Sequence, residues 1–400
     1  MKTISLILCS SLFSVFAFPQ WTWQNPLPQG NTLQSVCFTD ANTGYAVGEC
    51  GTIIKTIDGG SDWTILSSGT TNRLNSVYFT DANTGYVVGN YGTILKTLDG
   101  GTTWNELSSG TTDYLYSVYF PDASTGYAVG ENGTIVKTIN GGTSWTVLTS
   151  IITLEQLYSA YFTDVSTGIV VGDNGTIIKT TNGGTTWTEL PSGTYHSLNS
   201  VYFTEASTVY TVGTGIILKT TDGGISWTEL FSSQDVWLYS VFFTDANTGY
   251  AAGRDVGVEK IILKTTDGGS SWTAFSCGTD NLLSSVYFTD NNIGYTVGVG
   301  GTILKTTDGG VTLIEEIGLQ ELTFTIYPNP ATNKITISNK RTLPGEPMIN
   351  IFTLEGKQIL HDECLKNNQT EMDVSKLAKG IYLVKIQTKA GVETKKLVIQ

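Results

Sequence analysis

The sequence predicts an all-β protein, a seven-bladed β-propeller followed by a small Ig-like β-sandwich. A segment of about 41 residues recurs seven times along the 400-residue chain. The composition, with 45 glycines and only 14% charged residues, is typical of many short strands joined by glycine turns. In addition, no stretch shows the apolar period of 3.6 residues that indicates a helix.

The consensus of the repeat is Leu-x-Ser-Val-Tyr-Phe, then Gly-Tyr-x-Val-Gly, then Gly-Thr-Ile-x-Lys-Thr, and finally Asp/Asn-Gly-Gly-x-x-Trp. The copies start near residues 33, 74, 115, 157, 198, 238 and 283. In the second copy this pattern predicts strands at 74–79, 86–89, 93–97 and 103–107, separated by Asx and glycine turns. Four antiparallel strands in a repeat of this length predict one propeller blade.

The two ends of the repeat array complement each other. The seventh copy lacks its fourth strand, because Leu313 stands where the tryptophan is expected. The missing strand is supplied by Trp21-Thr22-Trp23, which precedes Leu33 at nearly the usual spacing. We therefore expect the N-terminal strand to complete blade seven, so that no sheet edge stays open. The expected propeller covers residues 18–316, and a second domain covers residues 322–400.

The N-terminus has the pattern of an export signal. Lys2 precedes an apolar stretch, Ile4–Phe16, and Ala17 provides a small residue for cleavage. This stretch is short for a membrane-spanning helix. We expect a signal peptide at residues 1–17, a secreted mature protein and no transmembrane segment.

Charge and metal-ligating residues restrict the possible partners. The net charge is −13 and the chain has three arginines, Arg73, Arg254 and Arg341, so nucleic acid is not expected to bind. The histidines, His196 and His361, fall in different domains, and no CxxC pair occurs. We therefore expect neither a metal site nor a cofactor. Whether any two of the cysteines form a disulfide is left open; they are Cys37, Cys50, Cys277 and Cys364.

The turn between the third and fourth strands of each blade resembles the Asp-box, or BNR repeat, of sialidase-like propellers. In those families the box is structural and lies away from the active site. A short Asx side chain accepts hydrogen bonds from turn amides, and glycines take positive φ. We expect a structural role for the seven box residues, Asp58, Asp99, Asn140, Asn182, Asp222, Asp267 and Asp308. The same role is favoured for the lysine that each blade carries just before its box.

The complete repeat is still closer to another group. It resembles the propeller family of photosystem II assembly and stability factors over residues 21–313. That family is thought to dock its client through an arginine patch, whereas this propeller has only Arg73 and Arg254. A chaperone of a membrane complex is therefore kept as an alternative function.

The C-terminal segment carries a separate resemblance. Tyr327-Pro-Asn-Pro330, Gly380–Lys385 and Lys395–Gln400 resemble the C-terminal sorting domain of the type IX, or Por, secretion system of Bacteroidetes. The resemblance implies that residues 322–400 engage the secretion machinery and that the protein reaches the outer cell surface or the medium. A plain Ig-like stability domain is the alternative.

Catalytic chemistry has little support in the sequence. A sialidase needs three arginines around the substrate carboxylate, which two propeller arginines cannot provide. Paired carboxylates for cleavage of a glycosidic bond leave a polysaccharide-active enzyme as an alternative. However, each repeated aspartate has an adequate role in a turn, so we assign no catalytic residue.

The two faces of the predicted propeller differ in how much their residues vary from copy to copy. The box face, formed by the first–second and third–fourth strand turns, is nearly uniform. The loop face, formed by the second–third strand loops and the connections between blades, varies and carries Arg73, Tyr91, Tyr114, His196, Trp237 and Arg254. A varied, aromatic-rich face on a regular scaffold is typical of a binding surface. We predict that these six residues bind a protein or a glycan, and that the chain is a surface binding and adhesion module; neutral drift of the loops is the alternative.

Overall fold

The computed structural model describes residues 21–24, 28–148, 153–255, 261–310, 324–339, 348–353, 357–364, 369–388 and 391–400. The chain divides into two compact units, Met1–Thr312 and Leu313–Gln400. None of the described residues forms a helix long and apolar enough to cross a membrane. The predicted signal peptide, residues 1–17, lies outside the described residues.

Each of the first four copies forms one antiparallel four-stranded sheet in chain order. In blades one and two the strands are Leu33–Phe38, Gly44–Gly48, Ile53–Thr56 and Thr64–Leu66, then Leu74–Phe79, Gly85–Gly89, Ile94–Thr97 and Asn105–Leu107. In blades three and four they are Leu115–Tyr119, Gly126–Gly130, Ile135–Thr138 and Thr146–Val147, then Leu157–Phe162, Gly168–Gly172, Ile177–Thr180 and Thr188–Glu189. The second strand is fully buried in every one of these blades, which places the core between neighbouring sheets.

The fifth and sixth copies are joined into one six-stranded sheet. Its strands are Leu198–Phe203, Val209–Thr220, Thr228–Phe243, Gly249–Asp255, Ile261–Thr265 and Thr273–Ser276. The fifth copy is two residues shorter between its second and third strands, so it has no 3-10 turn there, and Gly215 turns the chain at φ +75°. Thr228–Phe243 combines the outer strand of blade five with the inner strand of blade six.

Blade seven is built from both ends of the repeat array. Its strands are Leu283–Phe288, Gly294–Gly298, Ile303–Thr306 and, at the outer edge, Thr22–Trp23. Thr22 is in register with Lys305, and Trp23 with Leu304. Trp21 is 1% exposed and packs edge-on against Phe288, with ring centroids 5.9 Å apart. The first strand therefore completes the sheet of the last blade, and this pairing closes the ring of seven blades.

The Asp-box is a self-contained network of turn hydrogen bonds. In the first copy, the amide of Asp62 and the hydroxyl of Thr56 donate to Asp58 Oδ1 at 3.0 and 2.8 Å. The amide of Gly60, a residue with φ +85°, donates to Thr56 Oγ1 at 2.9 Å. Where Asn140 replaces the aspartate, its Oδ1 still accepts the amide of Ser144 at 3.0 Å. The box side chain is thus occupied by its own turn.

A lysine links each blade to the box of the next. Its ammonium group donates to the carbonyl of the first box glycine in the following blade, at 2.6–2.8 Å in every copy. The seven lysines are Lys55, Lys96, Lys137, Lys179, Lys219, Lys264 and Lys305. Lys305 and Tyr295 of blade seven reach Gly59 of blade one, which closes the ring of contacts. These hydrogen bonds support the structural role expected for the lysines.

A second ring of hydrogen bonds joins the inner strands. The serine hydroxyl of each Leu-x-Ser motif accepts a hydrogen bond from a backbone amide of the next blade's inner strand, at 3.2–3.4 Å. The donor is the Val or Ala that follows the first leucine of that strand by three residues. The serines are Ser35, Ser76, Ser117, Ser159, Ser200, Ser240 and Ser285. These contacts set the register between blades along the central channel.

The C-terminal unit is a two-sheet sandwich. One sheet contains Phe324–Tyr327, Lys334–Asn339 and Gln369–Asp373; the other contains Met348–Thr353, Gln358–Cys364, Gly380–Thr388 and Gly391–Ile399. Buried residues of both sheets share one core, including Ile335, Ile337, Ile351, Val384 and Leu397. The predicted all-β class, with a propeller followed by a second β domain, is confirmed.

Replacing Trp21 by alanine should destabilise the propeller by about 3–5 kcal/mol, because the side chain is fully buried where the first strand meets blade seven. The free energy of unfolding from urea titration measures this loss. Trp23→Ala is the matched control, since Trp23 is only half-buried on the same strand. Equal losses in the two variants would contradict closure through Trp21.

The box carboxylates predict acid sensitivity. Turn hydrogen bonds hold the pKa of Asp58, Asp99 and Asp222 below its usual range, and the Ser271 hydroxyl contributes most to lowering the pKa of Asp267 to about 2. Because these folded-state values lie below the unfolded value of about 4, their stabilisation is complete above that pH and is lost as the pH falls towards 2.

The variant Asp222→Asn with Asp267→Asn should therefore lose less Tm than the wild type between pH 5 and pH 2.5. Asparagine keeps the turn acceptor, as it does at Asn140, but does not titrate. Calorimetric melts at each pH measure the difference. Asp235→Asn is the control, because this exposed carboxylate accepts none of the described hydrogen bonds. Parallel pH profiles for all three proteins would count against the box as the acid-sensitive element.

Candidate binding face

In five blades, a tight 3-10 turn on the loop face places its middle residue and the glycine after it in the left-handed region. The turns are Glu49–Gly51, Asn90–Gly92, Glu131–Gly133, Asp173–Gly175 and Val299–Gly301. Their middle residues have φ of 52–67°, and they are Cys50, Tyr91, Asn132, Asn174 and Gly300. Asparagine and glycine adopt this conformation readily, whereas a tyrosine there is strained.

Tyr91 is one of the most exposed aromatic residues on this face. Its side chain is 62% exposed, and its ring meets Tyr114 edge-on with centroids 5.1 Å apart. Tyr114 belongs to the connection into blade three, where its amide lies 3.4 Å from Glu131 Oε2. Tyr91 also lines a groove of about 630 Å³ bordered by Glu106 and Asp113. The structure thus brings together two of the six predicted site residues.

A second pair lies at blade six. The Arg254 guanidinium stacks on the Trp237 indole, 3.9 Å from the ring centroid. The two residues are cross-strand partners, because the pairing between Thr228–Phe243 and Gly249–Asp255 extends past them to Val236 and Asp255. Arg254 Nε is buried and has no hydrogen-bond partner among the described residues.

The remaining two predicted residues belong to neither pair. His196 is exposed in the connection into blade five, where its amide donates to Thr194 Oγ1 at 3.1 Å, and no described contact joins it to the other five. Arg73 lies at the central opening of the loop face. It lines a pocket of about 480 Å³ that all seven blades surround.

The wall of this axial pocket was missed by the sequence prediction. It is formed mainly by the second residue of each inner strand, Gln34, Asn75, Tyr116, Tyr158, Asn199, Tyr239 and Ser284. The sequence did contain a signal for these residues, because the middle residue of Leu-x-Ser changes from copy to copy while the leucine and the serine stay constant. Without knowledge of which strand face lines the channel, the variation had no evident meaning.

Aromatic rings line the channel deeper along the same strands. Tyr78, Tyr119, Tyr161, Tyr202, Phe242 and Tyr287 follow one another with centroids 4.7–5.3 Å apart. Cys37 occupies the seventh position, and burial raises the pKa of its thiol. Of the four cysteines whose pairing the sequence left open, Cys37 and Cys50 are free thiols and form no disulfide with each other. Burial raises the pKa of Tyr78 and Tyr287 to about 12.

The family of the chain follows from its repeats. The family model described as photosynthesis system II assembly factor YCF48 matches residues 15–108, 61–149, 107–188 and 147–236, which together exceed half of the chain. The chain belongs to this family. No curated protein matches it.

Solved YCF48 propellers share this fold. YCF48 bound to a D1 peptide is 21% identical and aligns with a TM-score of 0.61 over 73% of this chain and 96% of its own. YCF48 from Cyanidioschyzon merolae is 21% identical, with a TM-score of 0.59 over 72% and 98%. The GH74 enzyme of Niastella koreensis is 14% identical, with a TM-score of 0.60 over 94% of this chain and 67% of its own.

The C-terminal unit identifies the export route. Residues 325–400 match the secretion system C-terminal sorting domain. This YCF48-family chain is therefore a secreted or cell-surface protein carrying a type IX sorting domain, which confirms the localisation predicted from the C-terminal motifs.

The left-handed positions predict different effects of two matched substitutions. Cys50→Asn should stabilise the protein by about 1 kcal/mol, because asparagine tolerates φ 55°. Tyr91→Asn gains the same relief but loses the ring contact with Tyr114, worth about 0.5–1.5 kcal/mol, and should be nearly neutral. Urea titrations of both variants measure the difference. Destabilisation by Cys50→Asn would contradict strain in these turns.

Proposed function

We propose that this exported propeller is a binding and adhesion module that holds its partner on the loop face. The observation that carries the proposal is Tyr91, an aromatic side chain that is 62% exposed although its backbone is held at φ 58°. Selection for stability alone favours asparagine or glycine there, as found in blades three, four and seven. A strained, exposed tyrosine is better explained by contact with a partner.

The rest of the loop face supports this role. The Tyr91–Tyr114 pair and the Trp237–Arg254 pair present aromatic surface together with a cation. Tyrosine, tryptophan and arginine are the residues that dominate the binding energy of interfaces. Each pair is already in contact in the free protein, so little side-chain entropy is lost when a partner binds.

The box face differs from the loop face because its polar side chains are bonded within the protein, as expected of a structural scaffold. Its aspartates and asparagines are occupied by their own turns, and its lysines are bonded to neighbouring blades. Substitution there is expected to change stability, whereas substitution of the loop-face aromatic residues is expected to change binding. This contrast separates the proposal from neutral drift of the loops.

The proposal predicts that Tyr91→Asn combined with Trp237→Ala abolishes attachment while the protein stays folded. The full chain would be tested for retention on extracellular matrix, polysaccharide and whole-cell surfaces, with a glycan array in parallel. A loss of at least tenfold in affinity is expected from removing two aromatic contacts of more than about 1 kcal/mol each. The matched control is Ile57→Ser, at a 72% exposed position that directly precedes Asp58 of the first box.

Other outcomes would replace the proposal. Equal retention of wild type and double variant would remove the loop face as the binding surface. Turnover of any glycan by the purified protein would establish a polysaccharide-active enzyme instead. Co-purification with an envelope complex, with none of the protein on the surface or in the medium, would favour an assembly chaperone like the photosystem factors.

A further inference from the structure

Described residues of all seven blades meet at the axial pocket on the loop face. Its volume of about 480 Å³ falls within the range of small-molecule binding sites. The neighbouring residues of each inner strand are committed to the fold, since the leucine is buried and the serine accepts a hydrogen bond from the next blade. The wall residues between them take no part in these two repeated contacts and differ from copy to copy, so their side chains can be suited to a ligand.

The wall is rigid and rich in acceptors. Asn75 and Asn199 each donate an amide hydrogen to a backbone carbonyl of the next blade, Leu115 and Leu238, at 2.8 Å. Their Oδ1 atoms accept none of the described hydrogen bonds. Tyr158 is fixed by its hydroxyl, which lies 3.0 Å from Asp173 Oδ2. The pocket therefore offers oriented carbonyl oxygens beside fixed aromatic rings.

An arginine lines this pocket although the chain as a whole is acidic. Arg73 lines it, and its exposed guanidinium forms no hydrogen bond or ion pair with the described residues. Burial raises the pKa of Tyr239, and the nearby positive charge of Arg254 opposes that shift. One carboxylate, Glu49, is found among the described lining residues. A cation without a partner at the pocket wall is suited to an anionic group.

These features match one ligand chemistry. Tyrosine rings cover the apolar faces of sugar rings, amide and carboxylate oxygens accept sugar hydroxyls, and arginine pairs with a carboxylate through two parallel hydrogen bonds. A peptide would lack backbone partners, because the inner strands are already paired in their sheets and by the serine ring. A polyphosphate or nucleic acid would need several clustered cations.

We propose that the axial pocket binds an acidic oligosaccharide, with Arg73 pairing with a uronate carboxylate and Tyr116, Tyr158 and Tyr239 lying against the sugar rings. The inference rests on the proposed binding function and places its ligand at the propeller axis. The rim pairs, Tyr91–Tyr114 and Trp237–Arg254, then extend the contact surface around this central site.

The test is calorimetric titration of the full chain with oligo-uronate trimers, namely trigalacturonate, triglucuronate and trimannuronate, each beside its neutral, carboxyl-reduced counterpart. We expect at least one acidic trimer to bind tenfold or more tightly than its neutral form, and added salt to weaken it. Arg73→Gln, at an exposed position, should lower the affinity for the acidic trimer tenfold or more, to that of its neutral form. Tyr116→Ala should weaken both, and melting curves would verify that each variant is folded.

The controls separate this inference from the function on which it rests. Ile57→Ser, on the box face, should bind like the wild type. Surface retention that depends on Tyr91 and Trp237 but is unchanged by Arg73→Gln and Tyr116→Ala would overturn the pocket and leave the adhesion function standing. Failure of every acidic trimer to bind, or tighter binding of a peptide in the same pocket, would also overturn it. Loss of all surface retention in the wild type would reject the adhesion function itself.

Discussion

The propeller depends on a hydrogen bond that reaches from one blade to the next. A lysine ammonium on the third strand donates to the glycine carbonyl at the start of the following Asp-box, and the last of these contacts runs from Lys305 to Gly59. The box turn must present that carbonyl, which requires Asx side chains to hold the turn and glycines at positive φ. One contact, repeated around the ring, thus explains why the lysine, the aspartate and the glycines recur together.

This arrangement separates stability from recognition. The lysines bond to the box turns and the inner-strand serines bond to backbone amides of the next blade, whereas the opposite loops and the channel wall lie outside these repeated contacts and vary between copies. The strained Tyr91, the Trp237–Arg254 stack and the axial pocket with Arg73 all lie in this variable part. Membership of the YCF48 family describes the scaffold, whereas the proposed binding function rests on these residues.

Export adds a constraint of a different kind. The sorting domain at residues 325–400 directs the protein to the surface or beyond it, which makes extracellular partners accessible. The described loop face offers aromatic rings, amide oxygens and two arginines, a chemistry suited to ligands met outside the cell. The family's relationship to photosystem assembly factors therefore shows common architecture, and the function has to be argued from the site.

The sequence by itself determined the number of blades, closure by Trp21–Trp23 and the sorting domain, because these rest on short-range patterns repeated at fixed spacing. It also pointed to Tyr91, Tyr114, Trp237 and Arg254 as variable residues. Only the tertiary structure shows which of them are in contact and that Tyr91 is strained, because contacts and backbone torsion angles cannot be read directly from the sequence. The axial pocket was likewise decided by the fold, because its wall takes residues from seven strands about forty positions apart that come together only when the ring closes.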